Sequence, residues 1–167
     1  SSIITKNPLL LAELDEDSLY LHSDTIIANL DSLKYRQIKA YTGAKFYSHN
    51  LQGKCQELFY FMRDSSIHMF ESPILWSNDY QLTAKHMILF LVVEQLDRME
   101  LQKDAFITSK DSLDLFNQIK GKNMTGFFKD NELATMFVTG NGQTTYVIKD
   151  EFEKISGINT VNCSQMT

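Results

Sequence analysis

Four stretches of this chain align with one another without gaps, and no other feature limits its fold as much. They are LHSDTIIAN (21–29), QGKCQELFYF (52–61), TAKHMILFL (83–91) and KGKNMTGFF (120–128). Their second position holds His22, Gly53, Ala84 and Gly121, recurring after 31, 31 and 37 residues. The next position holds Ser23, Lys54, Lys85 and Lys122. A period of this length marks one supersecondary unit stacked on copies of itself. Function in such a chain belongs to an extended surface or groove rather than to a point-like active site.

A second block follows each of these after a polar turn: IKAYTGAKFY (38–47), IHMFESPILW (67–76), MELQKDAFIT (99–108) and, more loosely, TMFVTGNGQT (135–144). Down its columns stand Ile38, Ile67 and Met99, then Ala40, Met69 and Leu101, then Phe46, Leu75 and Ile107. These columns share one parity, as the inward face of a strand requires. Thr42, Glu71 and Lys103 fall on that parity too, and a polar break at one fixed place predicts a corner, bulge or local twist there. Polar clusters at Asn29 to Lys34, Ser48 to Asn50, Arg63 to Ser66, Ser77 to Asp79, Ser109 to Ser112 and Lys129 to Asn131 are where strands reverse. The run TAKHMILFLVVEQLDRMEL (83–101) has helical propensity, but its register with three strand-like copies makes it strand.

The fold class is therefore all-β, a repeat-built solenoid-like stack in one domain over 1–167. Residues 1–17 form a cap outside the repeat, and Asn7 to Glu16 fits either a short helix or an edge strand. VNCSQMT (161–167) resembles LQGKCQEL (51–58), the opening of a fifth unit, so the last repeat reads as truncated. Hydrophobic residues make up 43% of the chain, enough for a packed core. A net charge of −5 argues against nucleic-acid backbones as partners. The longest apolar run, MILFLVV (87–93), is too short for a transmembrane segment. SSIITKNP lacks the regions of a signal peptide, which fits a cytosolic chain or an exported one after removal of its leader.

Catalytic and metal chemistry find little support. One column reads Asp24, Cys55, His86 and Asn123; a Cys55–His86 contact is the raw material of a thiol nucleophile, but nothing around it supplies an oxyanion site. The four histidines, at 22, 49, 68 and 86, contain no close-spaced zinc pair. Gly140-Asn141-Gly142 is a turn signal rather than a phosphate loop. Cys55 and Cys163 could pair in an oxidising compartment, but they lie far apart along the stack and read as two free, buried thiols, with no metal and no cofactor expected.

A small residue, an apolar strand, a polar turn, a second apolar strand and a Gly or Pro corner together resemble the unit of the OstA/LptA family. LQGKCQELFYFMRDSSIHMFESPILWS, QIKGKNMTGFFKDNEL and VTGNGQT are especially similar to OstA-like proteins of Bacteroidetes, and the likeness covers roughly residues 18–167. The resemblance implies a β-jellyroll or β-taco: two facing antiparallel sheets folded in a V around an apolar interior. It implies a non-enzymatic, periplasmic protein that binds the acyl chains of lipopolysaccharide and moves it towards the outer membrane. It also implies edge-to-edge partners, either copies of the chain or sister transport proteins.

A glycolipid carrier needs an apolar trough and a charged rim. The candidate trough residues are Ile38, Phe46, Ile67, Met69, Leu75, Met99, Leu101 and Ile107. Phe59, Phe90 and Phe127 form an aromatic column in the other sheet, with Met87 and Met124 as adaptable packing. Lys54, Lys85 and Lys122 are candidate phosphate contacts along a basic ladder. The competing readings are a closed core for the first set and a solvated strand face for the lysines. Two other function classes compete: a structural β-stack that assembles through its ends, and a β-helical carbohydrate-active enzyme. The enzyme class is disfavoured because the repeat columns carry no paired carboxylates.

Overall fold

The computed structural model describes residues 2–13, 18–49, 51–77, 79–93, 95–110, 115–129, 132–152 and 154–167. Among these every regular element is a strand: β1 (Ser2–Thr5), β2 (Leu9–Glu13), β3 (Ser18–His22), β4 (Thr25–Leu30), β5 (Arg36–Tyr47), β6 (Leu51–Phe61) and β7 (Ser66–Phe70), followed by β8 (Ile74–Ser77), β9 (Tyr80–Thr83), β10 (His86–Val92), β11 (Gln95–Lys110), β12 (Phe116–Lys129), β13 (Glu132–Lys149) and β14 (Ile155–Met166). The N-terminal segment is edge strand, with β1 paired to β4 and β2 to β3; positions 1 and 14–17 of the expected cap lie outside the described residues. Of the expected turn positions, Asn50, Asn78, Asp111, Ser112, Asp130 and Asn131 also lie outside them.

All the strands belong to one antiparallel sheet, and the short ones are broken halves of long ones. β6 pairs β7 through residues 57–61 and β8 through 51–54, while β11 pairs β10 through 95–102 and β9 through 106–109. The chain is thus a meander of long strands, each interrupted near its middle. The interruptions share one line. Pairs of left-handed residues mark it at Lys6-Asn7, Thr42-Gly43, Glu71-Ser72, Lys103-Asp104 and Gly140-Asn141. Ladder register shifts there as well, between Tyr41 and Ala44, Gln102 and Ala105, Lys120 and Asn123, and Thr139 and Gly142.

Thr42, Glu71 and Lys103 are the three positions at which the repeat predicts a corner, and each has a φ near +60° (64°, 58° and 63°). The backbone stays hydrogen-bonded through the bend: Asp24 N donates to Thr42 O, and Lys85 N to Lys103 O. Asn123 Oδ1 accepts from Lys103 N at 3.0 Å, replacing the ladder acceptor that the bulge removes. In the fourth copy the left-handed pair begins at Gly140, so that copy is MFVTGNGQTT (136–145), one residue later than the loose alignment.

The sheet doubles back along this line, and its halves enclose one apolar core in a barrel-like arrangement. We call the half containing β4, β7 and β10 the upper half, and the half containing β3, β8 and β9 the lower. Inward residues form rows that run from strand to strand across the sheet. One upper row runs through Ile26, Ala40, Leu58, Met69, Met87, Leu101, Met124, Val138 and Met166. The lower row runs Leu21, Phe46, Gly53, Leu75, Leu82, Ile107, Ile119, Thr144 and Val161. Beside the bend the pairs are Ala44 with Cys55, Ala105 with Gly121 and Gly142 with Cys163. Only small residues fit there, because the inner faces converge at the corner.

That small row corrects the sequence register. Cys55, Ala84, Gly121 and Cys163 each precede by three residues an inward core residue, Leu58, Met87, Met124 or Met166. Ser23 and Ile26, 0% and 1% exposed, have the same spacing. The second copy therefore belongs two residues from its place in the gapless alignment, and the first copy one.

Candidate functional site

The candidate trough residues come together on the inner faces, as their shared parity requires. All but Ile38 are closed from solvent. Met69, Leu75, Met99 and Leu101 are 0% exposed, Ile107, Phe46 and Ile67 are buried, and Ile38 is half-buried. Through the middle of the stack these residues fill a packed core. Met87 and Met124 join them there, at 0% and 1% exposed. The aromatic column does not: Phe59, Phe90 and Phe127 lie on the outer face, because strands carrying the small row change parity between Cys55 and Leu58 and at each equivalent corner.

The interior opens at one side. A cleft of about 730 Å³ is lined by Leu82, Met99, Phe128 and Leu133, with Ser77, Asp79 and Tyr80 at its polar rim. It lies between the halves, since Leu82 and Tyr80 come from β9 of the lower half and Met99, Phe128 and Leu133 from the upper. Its floor is continuous with the core, as Leu82 and Met99 belong to the buried cluster and Phe128 and Leu133 pack against it. Of these, only Met99 stood out in the sequence. Leu82 was readable as the alternation Tyr80-Leu82-Ala84 leading into the third copy. Phe128 and Leu133 pair across β12 and β13, and only folding brings them to the same cleft as Leu82.

Beyond the cleft the inner face stays apolar but loses cover. Ile119, Met136 and Met166 are half-buried, and Val161 is 41% exposed. β14 pairs only with β13 among the described residues, and at the other end β1 pairs only with β4. Ile3 and Ile4 on β1 and Ile158 on β14 are exposed beside those unpaired edges.

The lysines do not make one straight ladder. Lys85 and Lys122 follow the small row at equivalent places, where the second copy has Gln56. Lys54 lies two residues further into the lower half, with Lys45 directly opposite it on β5. Equivalent residues in successive copies are separated by an intervening strand, so Lys85 and Lys122 stand about 10 Å apart, twice the spacing of adjacent strands. All three are exposed. The Lys54 ammonium lies 5.5 Å over the Trp76 ring, and Lys85 Nζ is 3.9 Å from Asp104.

Cys55 and His86 point to opposite faces. The thiol sits in the small inner row and donates to Glu57 O at 3.1 Å, and burial pushes its pKa up to about 12. A thiol so held against ionisation is packing rather than nucleophile. Cys55 and Cys163 are both free, but only Cys55 is buried; Cys163, next to the sparsely covered end of the inner face, is half-buried. His86 lies outside, stacked on Phe70 at 4.4 Å and on His68 at 5.5 Å, with Nδ1 against Gln102. Burial, reinforced by His86, lowers the pKa of His68. Among the described residues no group of three acidic, histidine or cysteine side chains is placed to hold a metal.

Neither the protein-family models nor the curated proteins contain a match to this chain. No helix among the described residues is long and apolar enough to cross a membrane.

Proposed function

We propose that this protein is a non-enzymatic carrier of lipopolysaccharide, working in the periplasm and taking acyl chains into the space between the two halves of its bent sheet. The observation that carries this reading is the side cleft, whose apolar floor is continuous with the core and whose rim is polar. An amphipathic ligand needs both surfaces, and the cleft's volume falls in the roughly 300–1,000 Å³ range of small-molecule sites. The V-shaped β-jellyroll implied by the resemblance to the OstA/LptA family is the architecture in which such a space extends along the sheet. Met99 and Met136 near the cleft supply side chains that adapt to an irregular occupant. Of the three lysines, exposed Lys54 and Lys122 are the candidate phosphate contacts, Lys85 being drawn to Asp104. Phe46 and Leu75 are core in this reading, so aspartate at either position unfolds the protein rather than isolating binding.

The test is photocrosslinking. A photoreactive phenylalanine analogue at Phe128 is expected to label lipopolysaccharide saturably, with competition by unlabelled lipopolysaccharide. The same analogue at Phe152, 74% exposed, is expected to give no competed label. Absence of competed labelling at 128 in a folded protein would overturn the proposal.

The unpaired edges favour a second, compatible reading, a stack that assembles through its ends. Proline at Val161 removes a donor from β14; if assembly uses this edge, sedimentation at increasing concentration will show association for the parent chain and none for Val161→Pro.

A further inference from the structure

We propose that a separate cleft, on the outer face of the upper half, is a recognition site for an organic ammonium ion. It is a shallow, open depression of about 520 Å³ lined by Glu57, Phe59, Phe70, Glu71, Ser72 and Lys85. This inference does not rest on the carrier reading, because the cleft lies on the opposite side of the sheet from the core.

Its walls are two aromatic rings. Phe59 and Phe70 stand 5.2 Å apart and 54° from parallel, and Tyr41 meets Phe59 edge-on at 5.5 Å. Phe70 is backed by His86 at 4.4 Å, which fixes its ring. Two tilted rings with a fixed backing form the corner of an aromatic cage, and ring faces attract cations. This sheet face already shows the preference: Lys39 Nζ lies 5.3 Å from the Phe59 centroid, and the Arg98 guanidinium 4.0 Å from that of Phe90.

The charges agree. Glu57 directly opposes Phe70 across the β6–β7 pair, and Glu71 follows Phe70 at the corner. Neither carboxylate forms an ion pair among the described residues, whereas Lys85 is drawn towards Asp104 across the bend. With Asp104 beside Lys85 and Lys39 over Phe59, three carboxylates face two ammonium groups, and the cleft is net negative. That disfavours phosphate and other anions, and a purely apolar guest would leave Glu57 and Glu71 unused. An alkylammonium group uses the rings and the carboxylates together. It exists as a free amine and as a lipid headgroup, and the chemistry of the cleft fits both.

The experiment follows backbone amide resonances during titration with tetramethylammonium chloride and with ethanolamine hydrochloride, against matched sodium chloride. Saturable shifts are expected at residues lining the cleft. Phe59→Leu should weaken binding by roughly threefold or more, and the double change Glu57→Gln, Glu71→Gln by about tenfold. All three positions face outward, so the variants keep the core, which their spectra report directly. Sedimentation with phosphatidylethanolamine vesicles then separates the sources. Co-sedimentation lost in the double variant assigns a headgroup ligand, and its absence beside saturable ethanolamine binding assigns a free amine. Linear shifts with both ammonium salts, or saturation unchanged in the folded variants, would overturn the proposal.

Discussion

The Phe46 ring lies across the strand pair from Gly53, so close that a Cβ on Gly53 would fall 2.4 Å from its Cε1 atom. Met69 Cε, from the upper half, closes the same space at 3.1 Å. The lower row can seat a full aromatic at 46 only because its neighbour has no side chain. Gly53→Ala is therefore expected to cost about 1–3 kcal/mol through overpacking. Urea denaturation measures this, and the loss should shrink in a Phe46→Leu background. An equal loss in both backgrounds would separate the glycine from the ring.

Lys103 occupies a left-handed conformation at the corner, as Gly140 does in the fourth copy. Lys103→Gly removes about 1–2 kcal/mol of backbone strain and adds back roughly 0.5–1 kcal/mol of unfolded-state entropy. A small net stabilisation is expected. Gly43→Ala is the converse, because its Cβ meets nothing within 4 Å and only its φ of +70° opposes the change. It should lose about 1 kcal/mol or more. Opposite signs for the two variants would confirm that the corner, rather than packing, sets both.

Cys55 and Cys163 should react at very different rates. Alkylation of the native protein is expected to modify half-buried Cys163 first and to reach Cys55 only on unfolding. Because burial raises the Cys55 pKa from 9.0 to about 12, its contribution is complete below pH 9 and is lost as pH rises through that interval. Cys55→Ala should flatten the alkaline limb of the stability profile. Equal labelling of both thiols in the folded state would contradict the packing described for the small row.

His68 works in the other direction. Its folded pKa is lowered, first by burial and then by His86, so the unfolded chain takes up protons more readily. Stability is complete above the unfolded value near 6.5 and falls as pH drops through the lowered folded value. His68→Gln keeps a partner for Ser66 Oγ, which the imidazole Nε2 meets at 3.2 Å, and should reduce the loss between pH 7 and 5. An unchanged acid limb would place that sensitivity elsewhere.

The repeat made the all-β class and the corner legible, and for one reason. Inward parity and left-handed backbone are local properties, so Ile38, Ala40, Phe46 and their equivalents announced the inner face, and Thr42, Glu71 and Lys103 the bend. Register was less legible. Cys55 and Gly121 share a row only because the bulge changes parity on alternate strands, and a gapless alignment does not register that change. This is why the phenylalanine column proved external and Lys54 fell out of line with Lys85 and Lys122.

What the sequence alone determined is the set of residues that face inward and the places where each strand must bend, because both follow from side-chain alternation and turn chemistry within a few residues. Tertiary structure decided where that inner face is closed and where it is open. Whether Met99 is core or cleft floor depends on Leu82 and Phe128, which reach it from opposite halves of the sheet. The ammonium cleft is likewise a product of folding, since Phe59 and Phe70 meet only when β6 pairs with β7. Contacts between strands depend on register and twist, and no single strand carries that information.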